Sequence, residues 1–393
     1  MIDPVMPTYA RAPLHFVRGE GSWLLTDDDR RFLDFGAGIG VVSLGHADPR
    51  LVAALEAQAR RLWHVSNLYH IGPQEALARR LVAETFADTV FFTNSGTEAA
   101  ELAIKMARRF WHEEGAAERH RIVTFEGAFH GRSMAAISAA GSDKLTQGFA
   151  PLLPGFTQVP FADLDALSAE LGKGDVAAVM LEPVQGEGGI RPVAPGDLAR
   201  IRALCNESGA LLVLDEVQCG TGRTGRLYDH EWAGITPDIM MVAKGIGGGF
   251  PLGAVLATER AARPMVPGSH GSTYGGNPLA CAVGLAVIDA VAEPAFLEEV
   301  QAKAARLQAG LDALATNSNG VFAGWRGRGL MLGLECRVPN GEVVAAAREE
   351  NLLLVPAGSN VVRLLPPLTI GEDEIDEGLA RLARAARRLE EKA

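Results

Sequence analysis

Lys244 ends the apolar run Ile239, Met240, Met241, Val242, Ala243 and is followed by a cluster of glycines. Burial in such a run disfavours the ammonium form, and the neutral amine condenses with aldehydes and ketones. Lysine is scarce, six against 31 arginines, so this residue type needs a reason here. The segment alone suits equally a strand-end lysine that snorkels its charge to water.

Four further segments carry residues that suit such a nucleophile. In LLVLDEVQCGTGRTG an apolar strand delivers Asp215 to its C-terminal end, the edge at which open α/β sheets bind ligands. A carboxylate there requires a cation or hydrogen-bond donors. A protonated pyridine nitrogen is one such cation, and that pairing tunes pyridoxal phosphate as an electron sink. Gln218, three residues on, can reach a ring hydroxyl. A magnesium site of a nucleotide hydrolase would need a G-x-x-x-x-G-K-[ST] loop, which the chain lacks. In VFFTNSGTEAAELAIKMARR, Ser95 and Glu98 have capping-box spacing and fix a helix start near Gly96. With the hydroxyls of Ser95 and Thr97, that start offers an anion cradle, although an ordinary capped helix has the same signature. In TFEGAFHGRSMAA, Phe129 lies near two glycines, where its ring can lie against a planar cofactor. Arg132 can hold a carboxylate bidentately. A core Phe129 and an Arg132 in a surface ion pair fit that segment as well, and His130 receives no role. In HGSTYGGNPLA, the hydroxyls of Ser272 and Thr273 can donate to phosphate or substrate.

These residues need a scaffold of strands that end along one edge. Short apolar runs at 90–93, 122–125, 176–181, 211–215, 239–243 and 254–257 read as strands. Helical patterns at 74–85, 98–111, 195–208 and 278–291 alternate with them, as in an α/β sheet with crossover helices. A hairpin at 22–25 and 31–34 precedes this block; a helix at 298–315, strands at 329–336 and 361–364, and a charged helix at 373–390 follow it. The expected organisation is an N-terminal segment 1–60 contributing to a small α+β domain, a large domain 61–295 with a mostly parallel sheet, and a C-terminal remainder 296–393 of the small domain. A formal net charge of −11 without a basic run argues against nucleic acid or an anionic membrane as partner. The four cysteines match neither a zinc site nor a secreted scaffold, so no metal is expected. The first residues lack a signal-peptide core, and no uncharged apolar stretch reaches about 18 residues, so a cytoplasmic protein is expected.

Taken in order, from FLDFGAGIGVVSLGHADP to VVRLLPPLTI, these motifs resemble the class III aminotransferases, pyridoxal 5'-phosphate enzymes of fold type I. The resemblance implies that Lys244 binds the cofactor covalently and that Asp215 pairs with the ring nitrogen. It implies that Phe129 stacks on the ring, that Gln218 touches its phenolic oxygen and that Glu216 and Val217 belong to the same cofactor-binding segment. Ser95, Gly96 and Thr97 then hold the phosphate, joined by Thr273 from the second subunit of a homodimer with shared active sites. SNLYHIGPQE, LEPVQGEGGI and VPAGSNVVRLLPPL are most similar to family members that act on N2-acetyl-L-ornithine with 2-oxoglutarate in arginine biosynthesis. Arg132 and Ser272 would bind that acylated substrate. Glu187 would pair with Arg363 and release it when glutamate or 2-oxoglutarate enters; a permanent ion pair is the alternative. The related ornithine enzymes have a tyrosine seven residues before the histidine of their Gly-His pair, where this chain has Ile39 before His46 of Gly45-His46. An apolar residue there fits an acylated amine better than a charged one. Within the same family the alternatives are succinylornithine, succinyl-diaminopimelate, ornithine and 4-aminobutyrate; a decarboxylase, an aminomutase and a non-catalytic binding protein also fit the scaffold.

Overall fold

The computed structural model describes residues 4–318 and 320–391. Its centre is a seven-stranded sheet in the order Thr89–Thr93, Gly253–Ala257, Ile239–Val242, Leu211–Asp215, Val176–Leu181, Arg121–Phe125, Phe156–Val159. Every residue of Val176–Leu181, Leu211–Asp215 and Ile239–Val242 is buried, because helices cover both faces of the sheet. That is why these strands read as continuous apolar runs without alternation. All strands are parallel except Gly253–Ala257, which runs against both its neighbours.

The covering helices carry their own start and stop signals. Pro195–Ser208 has proline in its first turn and ends at Gly209, whose φ of 75° is the left-handed cap that glycine holds without strain. Gly96–Glu113 buries one face, Ala99, Leu102, Ala103, Met106 and Phe110 among them, and exposes its charged side. No single helix among the described residues is long and apolar enough to cross a membrane.

The two ends of the chain meet. Leu352–Leu353 adds in parallel to Arg31–Asp34, completing a four-stranded sheet with Phe16–Glu20 and Trp23–Thr26. A second four-stranded sheet, Phe322–Arg328, Met331–Cys336, Val361–Leu364 and Val355–Ala357, carries Arg363 at its centre. The Trp23 indole N–H donates to Glu374 Oε1 at 2.7 Å, tying the first hairpin to the final helix Glu372–Glu390. Gly378 of that helix packs against the Phe35 ring so closely that a Cβ would overlap it. The Leu365 amide donates to Phe35 O and the Leu368 amide to Ser43 O, both at 2.7 Å, so the C-terminal sheet is laced to the segment that leads into the large sheet.

Candidate active site

Sheet register brings the two chemically critical residues together. Asp215 pairs with Met241, so the strand carrying Asp215 and the strand leading to Lys244 end side by side at one edge. Both line a cavity of about 360 Å³ with Asn94, Ser95, Gly96, Thr97, Phe129, His130, Glu182, Val217 and Gln218. Lys244 has φ 50°, a left-handed backbone that costs a non-glycine residue on the order of 1 kcal/mol. Ser43 Oγ holds the next peptide, donating to Gly245 O at 2.8 Å. Desolvation lowers the Lys244 pKa; Glu187 opposes that shift and Arg363 reinforces it. Among the described residues Lys244 has no ion-pair partner. A half-buried amine depressed in this way is a nucleophile and a proton acceptor.

Asp215 accepts hydrogen bonds from His130 Nδ1 at 2.7 Å and from the Val217 amide at 3.1 Å. His130 is 2% exposed, and its Nε2 has no partner among the described residues. Burial pulls its pKa down, but the hydrogen bond and charge of Asp215 outweigh burial and hold it above the ordinary value. Glu182 completes this cluster, accepting from the Phe129 amide at 2.9 Å and the Gly186 amide at 3.0 Å. Burial and then the charge of Asp215 push its carboxyl up to about 7, against the pull of His130 and the two amides. Neither His130 nor Glu182 was expected in the site. Glu182 directly follows the buried run Val176–Leu181, the same strand-end signal that pointed to Asp215.

At the opposite end of the cavity Ser95 Oγ accepts from the Glu98 amide, while Glu98 reaches back to the Asn94 amide at 2.8 Å. The Gly96 and Thr97 amides keep no intramolecular acceptor among the described residues, so at this helix N-terminus they are free to donate to an anion. Close packing shapes that site. A Cβ on Gly96 would stand 2.9 Å from Val217 Cγ1, and one on Gly131, at φ 129°, would overlap Thr97 Oγ1.

The remaining expected residues divide. Gln218 lines the cavity, and its Oε1 accepts from Arg363 at 3.2 Å. Arg363 also pairs with Glu187 at 2.6 Å; its side chain is 2% exposed and that of Glu187 36%. Arg132 lies outside the first cavity, lining a second one with Phe129, Glu187, Lys144 and Arg191. Phe129 belongs to both cavities, so they adjoin at its ring. Ser272 Oγ sits at the rim, accepting from Asn94 Nδ2 at 3.3 Å and the Gly275 amide at 2.9 Å. Thr273 is exposed and lines neither cavity of its own chain. Ile39 is 40% exposed and lies outside both cavity walls, whereas Val41 lines the first. The Glu216 side chain lies outside the cavity and accepts from the Asp229 and His230 amides and His230 Nδ1, bracing the turn behind the sheet edge. Its neighbour Asp215 lines the cavity because successive residues at a strand end point in opposite directions.

The cavity matches the parts of pyridoxal phosphate. It offers an anion cradle at Gly96 and Thr97, a flat ring at Phe129, a buried carboxylate at Asp215 and an unpaired depressed lysine at Lys244. The signature of the aminotransferase class-III family matches residues 5–386. The chain is 61% identical over 390 residues to an acetylornithine aminotransferase of Rhodobacter capsulatus, covering 99% of each chain. It is 58% identical to that of Mesorhizobium japonicum, covering 97% of this chain and 96% of the relative. Among solved structures it is similar to the N-acetylornithine aminotransferase of Stenotrophomonas maltophilia, with TM-score 0.87, 40% identity and 98% of each chain covered. It is also similar to the ornithine aminotransferase of Toxoplasma gondii, with TM-score 0.96, 30% identity, and 99% of this chain and 94% of that one covered. Backbone likeness is thus higher to the ornithine enzyme and sequence identity higher to the acetylornithine enzyme, so overall shape does not select the substrate. The family match over nearly the whole chain, together with the Lys244 and Asp215 pair at one sheet edge, makes this protein a class III aminotransferase of fold type I.

Proposed function

We propose that the chain transfers the δ-amino group of N2-acetyl-L-ornithine to 2-oxoglutarate, giving N-acetyl-L-glutamate 5-semialdehyde and L-glutamate, as a cytoplasmic step of arginine biosynthesis. The observation that carries this reading is the Glu187–Arg363 pair: Glu187 lines the cavity that holds Arg132, and Arg363 bonds Gln218 in the wall of the cavity that holds Lys244. Pyridoxal phosphate, when bound, supplies the electron sink of the reaction. The chain supplies the rest. Lys244 Nζ, free once the substrate amine is in place, would take the proton from the carbon that bears the nitrogen and return it to the carbon on the other side of that nitrogen, two atoms along. Asp215, held by His130, keeps a positive ring nitrogen paired. Gly96 and Thr97 grip the phosphate, and Phe129 covers one ring face.

Two unlike amino donors must use this one site. With N2-acetylornithine bound, Glu187 neutralises Arg363 and Arg132 holds the substrate carboxylate at the far end. With glutamate bound, Glu187 releases Arg363 to take the α-carboxylate while Arg132 takes the distal one. The 36% exposure of Glu187 against 2% for Arg363 favours the carboxylate as the moving partner.

A homodimer with shared sites is part of the same proposal. Trp63, Leu68, Tyr69 and Tyr274 are 63–85% exposed around Thr273, an apolar patch suited to a second copy. That copy would bring Thr273 to the phosphate of its neighbour.

The test is an amino-donor panel. The holoenzyme is mixed with N2-acetylornithine, N2-succinylornithine, ornithine and 4-aminobutyrate, and loss of the visible band of the lysine-bound cofactor is followed. Rapid loss with N2-acetylornithine and little with ornithine at low concentration is expected. Equal loss with ornithine would remove both the substrate assignment and the argument from Ile39.

A further inference from the structure

Glu182 is a buried carboxylate that the reaction itself does not use, yet both its oxygens are committed. Oε1 accepts from the Phe129 amide at 2.9 Å and Oε2 from the Gly186 amide at 3.0 Å. One amide belongs to the segment that stacks on the cofactor ring, the other to the arm that carries Glu187. The same two segments are joined again beside it: Gln185 Nε2 donates to Glu126 O at 3.2 Å, and Arg191 Nε donates to Gln185 Oε1 at 2.9 Å. They are also packed without slack. A Cβ on Gly188 would stand 2.7 Å from Gly127 O. A shift of the arm at Gly186 therefore reaches Phe129 through one carboxyl group.

We propose that Glu182 is a positioning residue that couples the ring-stacking segment to the Glu187 gate, so that the gate responds to what occupies the cofactor cavity. This rests on the reading of Glu187–Arg363 as a gate. The ionisable groups that face Glu182 are Asp215 and His130 within the cluster, with Arg191 and Lys244 further off. A protonated Glu182 keeps only one good acceptor oxygen, so its coupling weakens below neutral pH.

The first test needs no cofactor. Amide hydrogen exchange is read in peptides covering 126–132 and 184–190 of the cofactor-free protein, for the natural chain and for Glu182→Gln. The amide side chain retains one acceptor, and exchange in both segments is expected to rise by about tenfold while the strand Leu211–Asp215 stays protected. Faster exchange in one segment only, or in neither, overturns the coupling. Should Glu182→Gln fail to fold, the natural chain is read from pH 6 to 8. After correction for intrinsic rates, exchange in both segments must fall together as pH rises through about 7, and independent behaviour overturns the proposal. In the holoenzyme the ratio of half-reaction rates with N2-acetylornithine and glutamate is expected to shift about fivefold or more in Glu182→Gln. A ratio that moves in Glu187→Gln but not in Glu182→Gln overturns the coupling and leaves the gate. A ratio unmoved in Glu187→Gln overturns the gate itself and the coupling with it.

Discussion

Replacing His130 with leucine removes one of the two donors to Asp215 and leaves the Val217 amide at 3.1 Å as the other. The lost bond is 2.7 Å long, reaches a carboxylate whose side chain is 5% exposed, and comes from a fully buried ring. A hydrogen bond to a charged group contributes about 1.5–3 kcal/mol, and here neither partner is screened by water. The cost falls on whatever depends on the charge and position of Asp215, namely pairing with a positive ring nitrogen. Cofactor affinity and the rate of the first half-reaction together should fall by roughly 10- to 150-fold, the factor that energy represents. His130→Asn places an N–H near the position of Nδ1 and should recover most of the loss. The assay is titration of cofactor-free protein with pyridoxal phosphate, followed by absorbance, and then single-turnover rates with N2-acetylornithine. Binding and rate within about threefold of the natural protein in His130→Leu, or no difference between the leucine and asparagine variants, would refute the reasoning.

Further outcomes follow from the same geometry. Gly131→Ala introduces a Cβ that overlaps Thr97 Oγ1 on a backbone at φ 129°, so cofactor affinity should drop by about tenfold or more while the fold persists; unchanged affinity by titration would show the cradle to be slack. Gly378→Ala drives a methyl into the Phe35 ring and should lower stability by about 1–3 kcal/mol in denaturant melts, with half-reaction rates per folded molecule unchanged. Burial raises Glu182 to about 7 and Asp229 to about 6, while His130 and His230 are held above their ordinary value by Asp215 and Glu216 against the pull of burial. In all four groups the folded chain therefore binds protons more tightly than the unfolded one. Their stabilisation is complete below the unfolded values and is lost as pH rises through the folded ones. Unfolding free energy of the cofactor-free protein should fall by on the order of a few kcal/mol between pH 5.5 and 8, and a flat or rising profile would contradict this balance.

The sequence made the central sheet legible because its strands are buried on both faces. The runs at 176–181 and 211–215 match strands end for end, and the helices at 195–208 and 278–291 match because proline opens both, with a glycine cap closing the first. Other strands escaped because they lack that pattern, as two of them show. Phe156–Val159 lies at the sheet edge with one buried residue, and Phe322–Arg328 mixes glycine, tryptophan and arginine with only Phe322 buried. The helix Asn340–Glu349 buries only Val343, Ala346 and Ala347, too short a stripe to stand out. In the site, Lys244, Asp215 and the Gly96 helix start were legible because each stands where a strand ends or a helix begins. His130 was not, since a histidine between an aromatic residue and a glycine has no local feature that distinguishes it. Its partner lies 85 residues away and meets it only in the fold. Glu216 was not told apart from Asp215, since a sequence does not say which of two adjacent carboxylates turns toward the cavity.

In the proposed reaction Lys244 is the one lysine that holds the cofactor and gives it up to N2-acetylornithine. Borohydride reduction of the holoenzyme followed by peptide mass mapping tests this directly, with and without prior mixing with N2-acetylornithine. The cofactor mass should appear on the peptide carrying Lys244 and on none of the other five lysines, and prior mixing should abolish it. Label on another lysine, or label on Lys244 that N2-acetylornithine leaves unchanged, would contradict the account.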